Sequence, residues 1–136
     1  MKRFEFFEHT ADIKLRAYGK NLEEAFKNVA LAMYQSMTDI DKISPKVKKK
    51  IEIKSHSEEA LLYDFLDELI FITDTEDFLL HDIEKINIKN LELTATLIGD
   101  VEIKKYDVHT HIKAATYSEM SIKKEQIITI QVVLDI

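Results

Sequence analysis

The chain has no cysteine and no tryptophan, and only two glycines and one proline in 136 residues. Each scarcity closes off some chemistry. Without cysteine there can be no disulfide, no thiolate nucleophile and no cysteine-based zinc centre, which fits a reducing compartment. With Gly19 and Gly99 the only glycines, neither a phosphate-binding loop nor a dinucleotide fingerprint can form, because both need clustered glycines. There is no Gly-x-Ser-x-Gly elbow and no Cys–His pair, so the standard hydrolase and nucleotide-dependent designs are absent. Positive charge is also in deficit, with 19 Lys and Arg against 25 Asp and Glu and a net charge of −6. That balance argues against a protein that coats nucleic acid and leaves cations and basic protein partners open. Long apolar runs are missing too. The most apolar stretch, Leu61 to Ile72, contains Asp64, Asp67 and Glu68, and Glu5 and Glu8 interrupt what would otherwise resemble a secretory leader. The expectation is a cytoplasmic protein without a membrane span.

What is present describes a globular domain. Apolar residues make up 46% and charged residues 32%, enough of the former to build a core. The length suits a single domain, here taken as 1–136, burying about two-thirds of the surface that the unfolded chain exposes. Residues 3–8 and 12–18 read as strands, the second with Ile13, Leu15 and Ala17 alternating against polar neighbours, the period of a sheet with one wet face. Asn21 with Glu24 forms a capping box, and Leu22, Ala25, Phe26, Val29, Ala30, Met33 and Met37 make one helical stripe. Residues 46–54 alternate apolar residues with lysines, as an edge strand does. Ser55 or Ser57 caps a second helix whose wide stripe, Leu61 through Thr73, predicts that this is the core helix. Strands are expected at about 79–89 and 91–98 with Asn90 at a turn, then at 102–106, 108–116, 119–124 and 126–135. The last has apolar residues on both faces, which predicts a central position. The order predicts an α+β fold, a two-layer sandwich with two helices packed on one largely antiparallel β-sheet.

Three segments carry residues suited to chemistry. His9-Thr10-Ala11-Asp12 places a carboxylate at the start of a strand behind a histidine and a hydroxyl, a set that could ligate a hard divalent cation or could simply finish a turn. Leu134-Asp135-Ile136 puts a side-chain carboxylate next to the α-carboxylate, a pair that is costly to hold together without a cation but unremarkable if both point into water. In Thr110 to Tyr117, strand periodicity puts His111, Lys113 and Ala115 on one face and Ile112, Ala114 and Thr116 on the other. There Lys113 could balance the charge of a carboxylate cluster, or be a solvated lysine.

Read together, His9-Thr10-Ala11-Asp12-Ile13, Ile112-Lys113-Ala114-Ala115-Thr116-Tyr117 and Leu134-Asp135-Ile136 resemble, in order and wording, the recurring elements of the archease family. Leu61 to Leu69 is similar to that family's central helix, so the resemblance runs the whole length. It departs at Asp107 to His111, a shorter stretch with His111 where an acidic residue is common. The resemblance implies an accessory protein and not an enzyme: an activator of RtcB-type RNA-splicing ligases in tRNA splicing, promoting GTP-dependent guanylylation of the ligase and its repeated turnover. It implies a divalent metal ion, calcium foremost, held by Asp12, Asp135 and the carboxylate of Ile136, with Lys113 and His9 as functional neighbours. It also implies a protein partner, the ligase, with RNA touched indirectly or weakly, no membrane, and a monomer or weak oligomer. The rival from another class is a metal-dependent enzyme acting on a small phosphorylated or nucleotide substrate through Asp12, His9 and Lys113. A third is a metal-stabilised interaction module with no role in RNA.

Other signals have plainer readings beside the functional ones. His109 and His111 are spaced to share a strand face and a transition metal, yet lack an evident third ligand. Lys46, Lys48, Lys49 and Lys50 could touch RNA, or protect a sheet edge. Asp64, Asp67 and Glu68 are spaced to share a helix face, as an acidic surface or as a solvated side.

Overall fold

A computed structural model describes residues 1–136. Its order is β1 (Phe4–Phe7), β2 (Asp12–Gly19), α1 (Leu22–Met37), β3 (Val47–Lys54), α2 (Glu58–Glu76), β4 (Leu79–Lys89), β5 (Glu92–Asp100), β6 (Ala114–Ala115), β7 (Ser121–Lys124) and β8 (Ile128–Asp135). The fold is an α+β sandwich of two helices and antiparallel strands, as expected, but the strands divide between two sheets. A five-stranded sheet runs β1-β2-β8, with β6 and β7 sharing the far edge of β8, and a three-stranded sheet runs β3-β5-β4. The division has a local cause. β4 and β5 close on each other through Asn90-Leu91, both at positive φ, the two-residue turn that suits the twist of a hairpin. β3 pairs with the free side of β5, so these three strands are satisfied among themselves.

β8 is the centre of the larger sheet, flanked by β2 along its whole length and by β6 and β7. β3 is an edge strand, as its lysines predicted. Core-facing Leu15, Ala17, Ile130, Val132 and Leu134 are all buried.

The helices differ from expectation in rank. α1, and not α2, is the more enclosed: ten of its 16 residues are buried, against nine of 19 in α2. α1 packs against β2 and β8 on one side and β4 on another, so small alanines and Asn28 are buried beside its main stripe. Tyr34 crosses from α1 to α2, donating to the Leu69 carbonyl at 3.1 Å. Its one proton thus used, Thr73 donates to the phenol oxygen at 2.7 Å. Burial pushes the Tyr34 phenol above its ordinary value. Asn21 caps α1 through the Glu24 N–H at 2.8 Å, although Glu24 reaches back to the N–H of Lys20 at 3.0 Å and not to Asn21. Ser57 caps α2.

The strands expected at 102–106 and 108–116 are not formed. Ile103–Lys105 is a single 3₁₀ turn, and only Ala114–Ala115 pairs with β8. Between β5 and β6 the chain spends its polar groups on tertiary anchors. Tyr106 donates to Asp100 at 2.6 Å, Thr38 donates to the Asp107 carbonyl at 2.8 Å, and the His109 N–H donates to the Met37 carbonyl at 3.0 Å. Strand alternation therefore fails here, with Ile112 and Ala115 both buried and Lys113 exposed.

Candidate functional site

The antiparallel register of β2 on β8 makes Asp12 and Asp135 direct cross-strand partners. Residues opposite each other share a sheet face with Cβ atoms about 5 Å apart, so two carboxylates from opposite ends of the sequence stand side by side. Asp135 is held from its other side as well. Ala114 is its register partner in β6, and the Lys113 N–H donates to the Asp135 carbonyl at 2.8 Å. Asp12 and Asp135 thus pair at one end of the five-stranded sheet with the Lys113 backbone beside them, and the Lys113 ammonium pairs with neither carboxylate. Ile136 follows Asp135 beyond the last paired residue and is 41% exposed.

His9 sits in the turn before β2, where Ala11 takes a φ of 60°. Its Nδ1 bonds Asp12 Oδ1, and its Nε2 lies 2.9 Å from Glu119 Oε2. Both partners are carboxylates, so both ring nitrogens donate only in the imidazolium form. The Glu119 hydrogen bond, followed by that of Asp12, raises the His9 pKa above its ordinary value.

Glu119 is a functional candidate that no sequence signal marked. A lone glutamate between two strands reads as solvent-facing, and its partners lie more than 100 positions earlier. It stands at a φ of 54° in the turn between β6 and β7. Gln131 fixes that turn by donating to the Glu119 carbonyl at 2.8 Å, and Arg16 holds Gln131 in turn at 2.9 Å. The carboxylate receives Lys14 Nζ at 2.9 Å. Lys14 first, then His9, holds the Glu119 carboxyl below the usual range. The result is an exposed polar cluster of alternating charge on the outer face of the sheet.

Asp12 and Asp135 supply only oxygen donors, which suits a hard divalent cation. No three His, Asp or Glu side chains converge on one point, so a cation here would draw on the α-carboxylate and on water. His109 lines a shallow cavity of about 390 Å³ with Phe6, His9, Asp12 and Gln35. His111 instead faces Asp74 of α2 at 3.9 Å, so the two histidines serve different surroundings and share no strand. Lys49 pairs with Glu76, and Lys48 pairs with Glu84 at 2.7 Å. No helix is long and apolar enough to cross a membrane.

The archease protein family (MTH1598/TM1083) matches residues 4–136. The protein archease of Methanothermobacter thermautotrophicus is 44% identical over 142 aligned positions, covering 100% of both chains. That of Sulfurisphaera tokodaii is 42% identical over 127, covering 92% of this chain and 91% of its own. The solution structure of Methanobacterium thermoautotrophicum protein 1598 superposes with a TM-score of 0.84 at 42% identity over 100% of both chains. The crystal structure of a Thermotoga maritima archease, described as a possible chaperone, shares the fold with a TM-score of 0.70 at 22% identity, covering 96% of this chain and 94% of that one. With the match spanning nearly the whole chain, and its three characteristic segments meeting at one sheet end, the chain belongs to the archease protein family.

Proposed function

We propose that this chain is a cytoplasmic activator of an RtcB-type RNA-splicing ligase in tRNA splicing, promoting GTP-dependent guanylylation of the ligase and its repeated turnover, and is not itself an enzyme. The observation that carries this reading is the pairing of Asp12 with Asp135 beside Lys113. Like charges placed directly opposite on a sheet destabilise it, so the arrangement serves something other than the fold. Asp12, Asp135 and the carboxylate of Ile136 would hold a hard divalent ion, which the family resemblance gives as calcium. When bound, that ion would supply positive charge between the two neighbouring carboxylates. The chain's own residues prepare the place: His9 orients Asp12, Glu119 holds His9 and Lys14, and the Lys113 N–H fixes the Asp135 backbone.

Exposure favours presentation to a protein over turnover of a small substrate. Asp135, Lys113 and Ile136 are all exposed, whereas small-molecule sites enclose most of their ligand. Activation needs only that the chain bind the ligase's reactive conformation better than the alternative.

The test adds the purified chain to limiting cognate ligase and follows ligation over many turnovers. Wild type raises the number of turnovers per ligase, and Asp12→Ala and Asp135→Ala lose most of that gain. Absence of stimulation by wild type, or full stimulation by both variants, would sink the reading.

A further inference from the structure

The outward face of α2 departs from the usual chemistry of a solvated helix. Residues 58–76 contain seven carboxylates and no Lys, Arg or His. Solvent-facing helices ordinarily interleave the two signs, because opposite charges three or four apart support the helix and like charges oppose it. Here Asp64 stands three residues before Asp67 and four before Glu68, and none of the three lies in an ion pair. The neighbouring elements bring bases to Glu58 through Lys124, to Glu76 through Lys49 and to Asp74 through His111 at 3.9 Å, and leave Asp64, Asp67 and Glu68 without one.

The same face carries aromatic surface. Phe71, four residues after Asp67, is 58% exposed. Tyr63, four residues before Asp67, stacks on Tyr117 with ring centroids 4.5 Å apart and planes 6° from parallel, and Tyr117 remains 55% exposed. Tyr117 lies beyond Thr116, whose hydroxyl donates to the Val133 carbonyl at 2.7 Å. Tyr117 is therefore anchored next to β8, the strand that carries Asp135.

We infer that the outward face of α2 from Tyr63 to Asp74, completed by Tyr117, is a docking surface for a basic, arginine-bearing segment of a protein partner. A guanidinium stacks on an aromatic face and pairs with a carboxylate in one motion; Tyr117 and Asp64 supply the two. Phe71 gives an exposed apolar contact one turn before Asp74, the kind of aromatic that anchors interfaces. A phosphate backbone would meet only like charge here, so RNA does not fit this face. The partner is taken to be the ligase, and to that extent the inference rests on the proposed function.

The test measures affinity of the full chain for the cognate ligase at low and high salt. Asp67→Lys with Glu68→Lys should weaken binding at least about tenfold at low salt and flatten its salt dependence, since such charges act through long-range attraction. Phe71→Ser should weaken it at least about threefold at both salts. A control of equal charge change on the outward face of the small sheet, Glu52→Lys with Glu92→Lys, should bind like wild type. Because the chain-end carboxylates are intact, excess α2 variant should restore full ligase stimulation, which excess Asp12→Ala should not. Unchanged affinity in both α2 variants, with wild type still stimulating, overturns the docking surface and leaves the activator reading standing. A concentration-dependent self-association that the α2 variants abolish assigns the face to a second copy and overturns the inference. Neither binding nor stimulation by wild type overturns both.

Discussion

Among charged side chains, only Asp100 is withdrawn fully from water, at 1% exposure. It stays ionised because the Tyr106 hydroxyl donates to it at 2.6 Å, with the Glu102 N–H at 3.3 Å and Lys105 at 3.6 Å behind it. The Tyr106 hydrogen bond foremost holds this carboxyl below its ordinary value, against the opposing effect of burial. An unfolded aspartate titrates near about 3.9. A carboxyl lowered in the fold therefore contributes stability that is complete above that value and is lost as pH falls through the lower, folded one. Urea midpoints taken at stepped pH should fall off less steeply below about pH 4 in Asp100→Asn than in wild type. Parallel acid limbs would mean that Asp100 is not linked to acid unfolding. The consequence reaches the candidate site, since Asp100 and Tyr106 anchor the start of the loop that ends at Lys113.

Elements are fixed as much by close approach as by apolar pattern. Gly99 lies inside β5, one residue before its end, where a Cβ would overlap the Leu79 carbonyl and come within 2.8 Å of the Phe78 ring. Gly99 has an ordinary negative φ, so the constraint is space and not backbone freedom. Gly99→Ala should destabilise the domain by about 1–3 kcal/mol, the usual cost of overpacking, read as a lower urea midpoint with an unchanged slope. A stability equal to wild type would show that β4 moves aside cheaply. Sequence reading stopped this strand at about residue 98 and could not see that Gly99 continues it against β4. The same limit explains the lost strands after it. Between residues 101 and 113, hydrogen bonds to Met37, Thr38 and Asp100 replace ladder pairing, and no local pattern announces partners so far away.

At the scale of the molecule, the site exists only because β2 and β8 pair in one register. A slip of one residue would turn Asp12 away from Asp135 and drive Leu15 and Val132 off the core, so core burial sets the carboxylate pair. If both residues serve one ion, their contributions to calcium binding should not add. Asp12→Ala and Asp135→Ala should each weaken calcium affinity at least about tenfold, and the double variant should be little worse than either. Calorimetric titration reads this directly, and simple additivity of the two losses would divide them between separate sites. Adding residues after Ile136 should weaken binding too if its carboxylate is a ligand; an unchanged affinity would remove Ile136 from the set.

The sequence by itself determined the two helices and the Asn21 cap of the first, the edge character of β3, the central place of β8 and the three segments that carry the family resemblance. These are properties of period and of neighbouring residues, which a chain keeps in any environment. Tertiary structure alone decided that the strands form two sheets, that α1 and not α2 is the more enclosed helix, and that Glu119 joins His9 and Lys14. Each of these depends on which distant backbone hydrogen bonds and apolar faces satisfy one another, an outcome set by the whole chain at once. Asp12 and Asp135 belong to both accounts. Their identities stand in the sequence, but their adjacency is made by the register of a buried strand pair.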